Sequence, residues 1–316
     1  MAPKKIIAVI GATGNQGGGL IRAILNDASE EFVPRALTRT PDSDKAKSLA
    51  ELGAEVVAAD LNDPKSIIEA YQGADAAYCV TFFWQHLSPE KELAHARTMA
   101  EAANEAGVQH VIWSTLEDTR KWVPLDDDRM PTLAGEYKVP HFDAKGEADD
   151  IFRQVGVPTT FLLTSFYWDN FIFFGSGPKR GPDGKLALTF PLDGAKLPGI
   201  AAEDIGKCAL GIFKRGSEFI GKTVAICGER LTGSEMAEAM SEALGQEVVY
   251  NAVSPDLYRS FDFPGADDMG NMFQFKRDFN DYFCGVRDPA FARSLNPELQ
   301  TFEQWLARNK DRIPLD

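Results

Sequence analysis

The segment Gly11-Ala12-Thr13-Gly14-Asn15-Gln16-Gly17 constrains this chain more than any other stretch of it. It lies directly behind an apolar run, Lys5 to Ile10, of the kind expected for a strand buried on both faces. A helix pattern follows from Gly17 to Asn26, with Leu20, Ile21, Ile24 and Leu25 at helical spacing. Strand, G-x-x-G-x-x-G turn and helix in that order point to a dinucleotide cradle. Glycine is required where the chain turns sharply, where backbone approaches a phosphate and where helix packs on strand. The helix then directs N–H groups and the positive end of its dipole at the pyrophosphate. Gly11, Thr13, Gly14, Asn15, Gln16 and Gly17 are therefore expected around the ligand. The competing reading is a turn whose glycines serve packing alone.

The unit recurs along the first half. Phe32–Thr38, Glu55–Ala59, Ala74–Thr81, Gln109–Ser114 and Pro158–Leu163 read as strands. Between them, Asp42–Leu52, a helix capped by Asp63 with Pro64 at its first position, a long helix opened by Ser88-Pro89, and Phe142–Val155 read as helices. Such alternation implies right-handed crossovers and a doubly wound parallel α/β sheet covered on both faces. Beyond Thr164 the elements are shorter and mixed. Leu186–Phe190, Asp204–Lys214, Thr223–Cys227, Gly233–Leu244 and Glu247–Val253 suggest a smaller α/β region interleaved with the first. The expected division is a dinucleotide-binding domain over 1–157 and a smaller C-terminal domain over 158–316.

The tip of the second strand selects the dinucleotide. An unphosphorylated ribose calls for a carboxylate there, about 20 residues beyond the glycine turn. Here the strand ends Thr38-Arg39-Thr40, without a carboxylate. A guanidinium pairs with a 2′-phosphate in bidentate fashion, so Arg39 and Thr38 point to NADP(H), with Lys45 able to share the charge. The bland alternative is a solvated arginine. Asp60-Leu61, ending the third strand, would border the adenine, and Thr81-Phe82-Phe83, ending the fourth, the ribose of the nicotinamide half.

Charge and composition remove other classes of function. With 33 Lys+Arg against 47 Asp+Glu in 316 residues the net charge is −14, which disfavours direct binding of nucleic acid. Hydrophobic residues make up 44% and charged residues 25%, ordinary values for a globular protein. Cys79, Cys208, Cys227 and Cys284 stand apart, with no metal-ligand spacing, and read as buried free thiols in a reducing compartment. Met1–Lys5 lacks signal-peptide architecture, and the apolar stretch Phe161–Phe174 is too short to span a bilayer. A cytoplasmic protein with no membrane contact and no metal is expected, as a monomer or homodimer.

These residues resemble the NmrA-like family of the atypical short-chain dehydrogenase/reductase superfamily, and within it the HSCARG-type NADPH-sensing subgroup. The similarity extends over nearly the whole chain. It rests on the glycine turn, Thr38-Arg39, Val80-Thr81-Phe82-Phe83-Trp84, Val111-Ile112-Trp113-Ser114-Thr115-Leu116-Glu117, and above all His141-Phe142-Asp143-Ala144-Lys145-Gly146-Glu147. The resemblance implies an NADP-binding Rossmann domain, a smaller domain forming a cleft with it, and a role that is often regulatory rather than catalytic.

The superfamily's reductases protonate the developing alkoxide through a Tyr-x-x-x-Lys pair on one helix face. In this chain Lys145 is present, but His141 stands four residues before it, and Tyr137 is out of register beyond Pro140. Three readings of His141 stay open: a substitute general acid, a non-catalytic contact of the nicotinamide or ribose, or a helix-terminal residue with a satisfied ring. Lys145 is expected to face the cofactor ribose, and Ser114, with Thr115, to orient a carbonyl or merely end its strand. His86 could line the cleft, while His95 and His110 read as surface or helix-end residues. Phe166, Tyr167, Trp168, Phe171, Phe173 and Phe174 read as core or as a wall of the nicotinamide pocket, and Lys179-Arg180 as part of a Gly/Pro loop able to close. Two functions follow: an NADP(H)-dependent sensor acting on a protein partner, or an atypical NADPH-dependent reductase of a carbonyl or quinone.

Overall fold

The computed structural model describes residues 3–181 and 183–315. Met1 and Ala2 of the N-terminal segment and Pro182 of the Gly/Pro loop therefore lie outside the described residues. The chain divides into two compact units, one formed by 1–118, 141–164 and 203–224, the other by 119–140, 165–202 and 225–316.

The first unit begins with β1 (Lys5–Val9), α1 (Asn15–Leu25), β2 (Phe32–Thr38), α2 (Asp44–Glu51) and β3 (Glu55–Ala58). It continues through α3 (Pro64–Tyr71), β4 (Ala76–Cys79), α4 (Pro89–Glu105), β5 (His110–Thr115), α5 (Pro140–Val155) and β6 (Thr159–Leu163). These strands lie in the order β6-β5-β4-β1-β2-β3, with Thr223–Ala225 beyond β6. Every pairing from β3 to β6 is parallel. The order reverses between β1 and β4, which makes a crevice at their carboxyl ends, where α/β sheets of this kind bind ligands.

Local chemistry explains these elements. Burial on both faces permits the unbroken apolar runs of β1 and β5, where Ile7, Ala8, Val9, Val111, Ile112 and Trp113 have no exposed surface. The apolar stripe of α1 buries Leu20, Ile21 and Ile24, each contributing about 1.5–3 kcal/mol relative to exposure. Ser43 and Ser88 cap α2 and α4 by accepting from the N–H groups of Ala46 and Lys91. A glycine lets two helices touch. A Cβ on Gly206, in the helix Ala202–Lys214, would stand 2.1 Å from the Leu20 nitrogen, so only hydrogen fits where that helix crosses α1.

Several expectations need correction. Helix α1 starts at Asn15 rather than Gly17, and α5 at Pro140 rather than Phe142, because proline is well suited to a first turn whose N–H needs no partner. Asp63 precedes α3 without capping it; Ser66 instead donates to the carbonyl oxygens of Asp60 and Asp63. His110 is buried at the start of β5. Its ring nitrogen Nε2 lies 2.8 Å from the Thr160 hydroxyl and its ring packs edge-on to Phe213, and burial pushes its pKa down to about 4. Cys284 is half-buried, unlike the other three thiols.

The second unit holds two three-stranded sheets. One has the order Glu229–Thr232, Lys196–Ile200, Phe166–Tyr167; the other Val248–Ala252, Leu186–Phe190, Lys179–Arg180. Lys179-Arg180 is thus strand rather than free loop, paired antiparallel with Leu186–Phe190. Phe166, Trp168 and Phe171 are core residues, packed with Phe190, Phe302 and Trp305, whereas Phe173 and Phe174 are about half exposed. The helix Phe302–Asn309 carries a full capping box between Thr301 and Gln304 and turns Phe302, Trp305 and Leu306 inward.

Candidate functional site: the carboxyl ends of the parallel strands

The glycine turn leaves β1 through Gly11, whose φ of +68° belongs to the left-handed region. Gly14 then extends the chain into α1 and offers the helix no side-chain cap. A Cβ on Gly17 would lie 2.5 Å from the Gly11 carbonyl oxygen and 2.9 Å from that of Ile10, so the first turn of α1 presses directly on the strand end. This close seating aims the helix N-terminus across the crevice. Asn15 is exposed and Thr13 half-buried at its mouth. A turn with these backbone features fits a pyrophosphate, for which uncapped helix N–H groups supply donors.

Gln16 points the other way, into the sheet. Its Oε1 accepts from the Tyr78 hydroxyl at 2.5 Å and the Ser114 hydroxyl at 2.9 Å. The glycine turn is thereby tied to the ends of β4 and β5. Ser114 is buried and spends its proton on this bond.

A second cluster surrounds Lys145. The Thr115 hydroxyl donates to the Lys145 carbonyl at 3.1 Å, and a Cβ on Gly146 would meet the Asp118 nitrogen at 2.4 Å, so α5 is pinned against the end of β5. The Lys145 ammonium lies 2.7 Å from Glu92 Oε1, donates to the Thr81 hydroxyl, and stands 5.1 Å from the centre of the Trp113 ring. The Thr81 hydroxyl in turn donates to Glu92 Oε1. Glu92 has no exposed surface. Burial alone would raise its pKa, but the Lys145 charge, with the nearby His86 ring and hydrogen bonds from Lys145 and Thr81, brings it down to about 2. A carboxylate is therefore fixed beneath the lysine at neutral pH.

Glu92 escaped the sequence reading, although its signal is in the chain. It occupies the same face of α4 as Ala96, Met99, Ala100 and Ala103, all fully buried. A carboxylate in an apolar stripe needs a buried cation, and Lys145 supplies it. His86, read as a cleft residue, instead accepts from the Ser88 N–H through Nδ1 at 3.1 Å and sets Nε2 3.4 Å from Glu92 Oε2.

His141 lies one turn before Lys145, and its ring is flanked by Trp84 at 4.7 Å, Phe142 at 4.8 Å and Phe83 at 6.0 Å between centroids. Tyr137 precedes α5 and pairs with Leu133, so no tyrosine occupies the helical position four residues before Lys145. Phe82 is about half exposed and Phe83 buried.

A third group forms at the tips of β2 and β3. Arg39 is exposed. Thr38 is buried, its hydroxyl accepting from the Thr40 N–H at 3.2 Å. Asp60 accepts from the Asn62 N–H and amide at 2.9 and 2.8 Å; these bonds, against burial and with the nearby Arg39 charge, lower its pKa. Leu61 packs partly buried against the core. With the Gln85 amide oxygen turned toward the guanidinium, it accepts from Nη1 at 3.0 Å and Nη2 at 3.1 Å. Lys45 is exposed on α2. Among the described residues no His, Cys, Asp and Glu cluster is arranged to hold a metal, and no helix is long and apolar enough to cross a membrane.

Comparison with known proteins agrees with this architecture. A model of the NmrA-like family matches residues 3–306. An NmrA-like family domain-containing protein of Dictyostelium discoideum is 28% identical, over 96% of this chain and 97% of its own. An NmrA-like family domain-containing oxidoreductase of Penicillium ochrochloron is 26% identical, over 96% of this chain and 98% of its own. Among solved structures, NmrA, a negative transcriptional regulator, in complex with NADP superposes with a TM-score of 0.77 at 26% identity, covering 96% of this chain and 94% of that one. The same regulator in complex with NAD gives the same TM-score and identity. This chain belongs to the NmrA-like family.

Proposed function

We propose that this chain binds NADP(H) at the carboxyl ends of β1, β2 and β4 and acts as a redox sensor or regulator of the HSCARG type. The carrying observation is a complete dinucleotide cradle beside a lysine that lacks its tyrosine. The glycine turn is close-packed and uncapped, and Arg39 stands exposed at the tip of β2. Four residues before Lys145 stands His141, whose ring lies among three aromatic rings.

In this reading the N–H groups of the first turn of α1 and the side chain of Asn15 hold the pyrophosphate. Arg39, with Lys45, holds the 2′-phosphate; Asp60 and Leu61 border the adenine. Lys145, paired with Glu92 and steadied by Thr81, donates to the hydroxyls of the nicotinamide ribose. Bound nicotinamide would supply hydride chemistry, but the residues around it favour holding over proton delivery. Occupancy then shifts the population of the conformation that binds the dinucleotide best, and a protein partner reads that shift. The net charge of −14 favours such a partner over direct contact with nucleic acid.

A reductase is the second reading, favoured by the Glu92–Lys145 pair and by a relative that is named an oxidoreductase. A panel of carbonyls and quinones incubated with the protein and NADPH separates the two. The sensor reading predicts binding without acceptor-dependent consumption of NADPH. Multiple turnovers with a defined acceptor, abolished by Lys145→Ala, would replace it with the reductase.

A further inference from the structure

Gln85 is an exposed residue of the short 3-10 turn Phe83–Gln85 that follows β4, yet its side chain reaches a residue at the tip of β2. With its amide turned so that the oxygen faces the guanidinium, the orientation that satisfies both groups, Gln85 accepts from both terminal nitrogens of Arg39 at 3.0 and 3.1 Å. One oxygen thus occupies the N–H groups with which arginine can receive the two oxygens of a carboxylate or phosphate in bidentate fashion. We propose that Gln85 is a selectivity-determining residue: its amide oxygen holds the Arg39 fork and gives way to the 2′-phosphate of a phosphorylated dinucleotide. The inference rests on the NADP(H)-binding reading above.

Three features of the site support it. The amide is neutral, so a phosphate carrying close to two negative charges displaces it, whereas a ribose hydroxyl does not. Asp60, whose carboxyl feels the Arg39 charge, accepts two hydrogen bonds from Asn62, and Gln85 is the acceptor on the fork. Both partners are exposed, so the exchange requires no rearrangement of the core. The consequence is a cost levied on the phosphorylated ligand alone. NADP+ must break the Gln85 contact, while NAD+ binds with it in place.

Calorimetric titration of the full chain with NADP+ and with NAD+ tests this. Gln85→Ala should tighten NADP+ by about fivefold, the worth of one competing hydrogen bond, and leave NAD+ within about twofold. Gln85→Glu should weaken NADP+ more than about tenfold, since a carboxylate pairs with Arg39 and repels the phosphate. In an Arg39→Ala background, Gln85→Ala should have no effect on either ligand, because the residue acts only through the guanidinium. An NADP+ to NAD+ preference that is unchanged or lowered by Gln85→Ala, in a protein that binds NADP+, would overturn this inference and leave the cofactor reading standing. A wild-type chain that takes up neither ligand would overturn both.

Discussion

The two ends of the candidate site solve opposite problems. Around Arg39 the polar groups are exposed and lightly bonded: the guanidinium shares one amide oxygen, and the helix start behind it has no side-chain cap. Around Lys145 they are buried, with Glu92, Thr81 and the Trp113 ring close about the ammonium. The difference teaches where each end obtains its order. The Arg39 end stays in water and has hydrogen-bonding capacity to give to an anion. The Lys145 end has already lost its water, so its geometry is set by the fold before any ligand arrives. One end is built for affinity, the other for position.

Removing the buried carboxylate should have the largest effect. Glu92→Ala leaves Lys145 as an uncompensated buried charge and should lower unfolding stability by about 3–5 kcal/mol, measured by urea denaturation at pH 7. A loss below about 1 kcal/mol would mean that Lys145 reaches water freely. The pH dependence sharpens the same point. Glu92 has a folded pKa of about 2, below the 4.5 of an ordinary glutamate, so its stabilisation is complete above about pH 4.5 and is lost as pH falls toward 2. The stability gap between the wild type and Glu92→Gln should therefore close across that window. A gap that stays constant would show that the charge on Glu92 contributes nothing.

At the exposed end the effects should cross over. Arg39→Ala should weaken NADPH by about 30-fold while changing NADH and folding stability little, because it removes charge-assisted bonds to one phosphate only. Equal losses for the two dinucleotides would take the 2′-phosphate away from Arg39. The smallest effect belongs to the surface. Glu55→Ala breaks a 2.8 Å pair with Arg35 in which Glu55 is largely exposed, and should cost less than about 1 kcal/mol in the same urea experiment.

How far these two ends could be read from the chain follows the same division. The glycine turn, the strand–helix alternation and Arg39 are local patterns, since each depends on residues adjacent in sequence. Six of the sheet's strands follow from that alternation, and their parallel direction from the handedness of crossovers; the seventh, Thr223–Ala225, reads in the sequence as part of the C-terminal region. The Lys145 cluster depends on residues 81, 92 and 145, which no local pattern joins. A glutamate on a face otherwise made of Ala96, Met99, Ala100 and Ala103 was the available sign, and it requires knowing which face is buried. His110 failed for a related reason. A histidine beginning a strand looks like a surface residue until Thr160 and Phe213, from distant segments, close over it. Gln85 carries no sequence signal at all, because its contact with Arg39 arises from the meeting of two strand ends.

If the exposed end selects a phosphorylated dinucleotide, as proposed, calorimetric titration of the wild-type chain should show one site, with NADPH bound at least about tenfold more tightly than NADH. No uptake of NADPH at millimolar concentration, or equal affinity for the two, would contradict it.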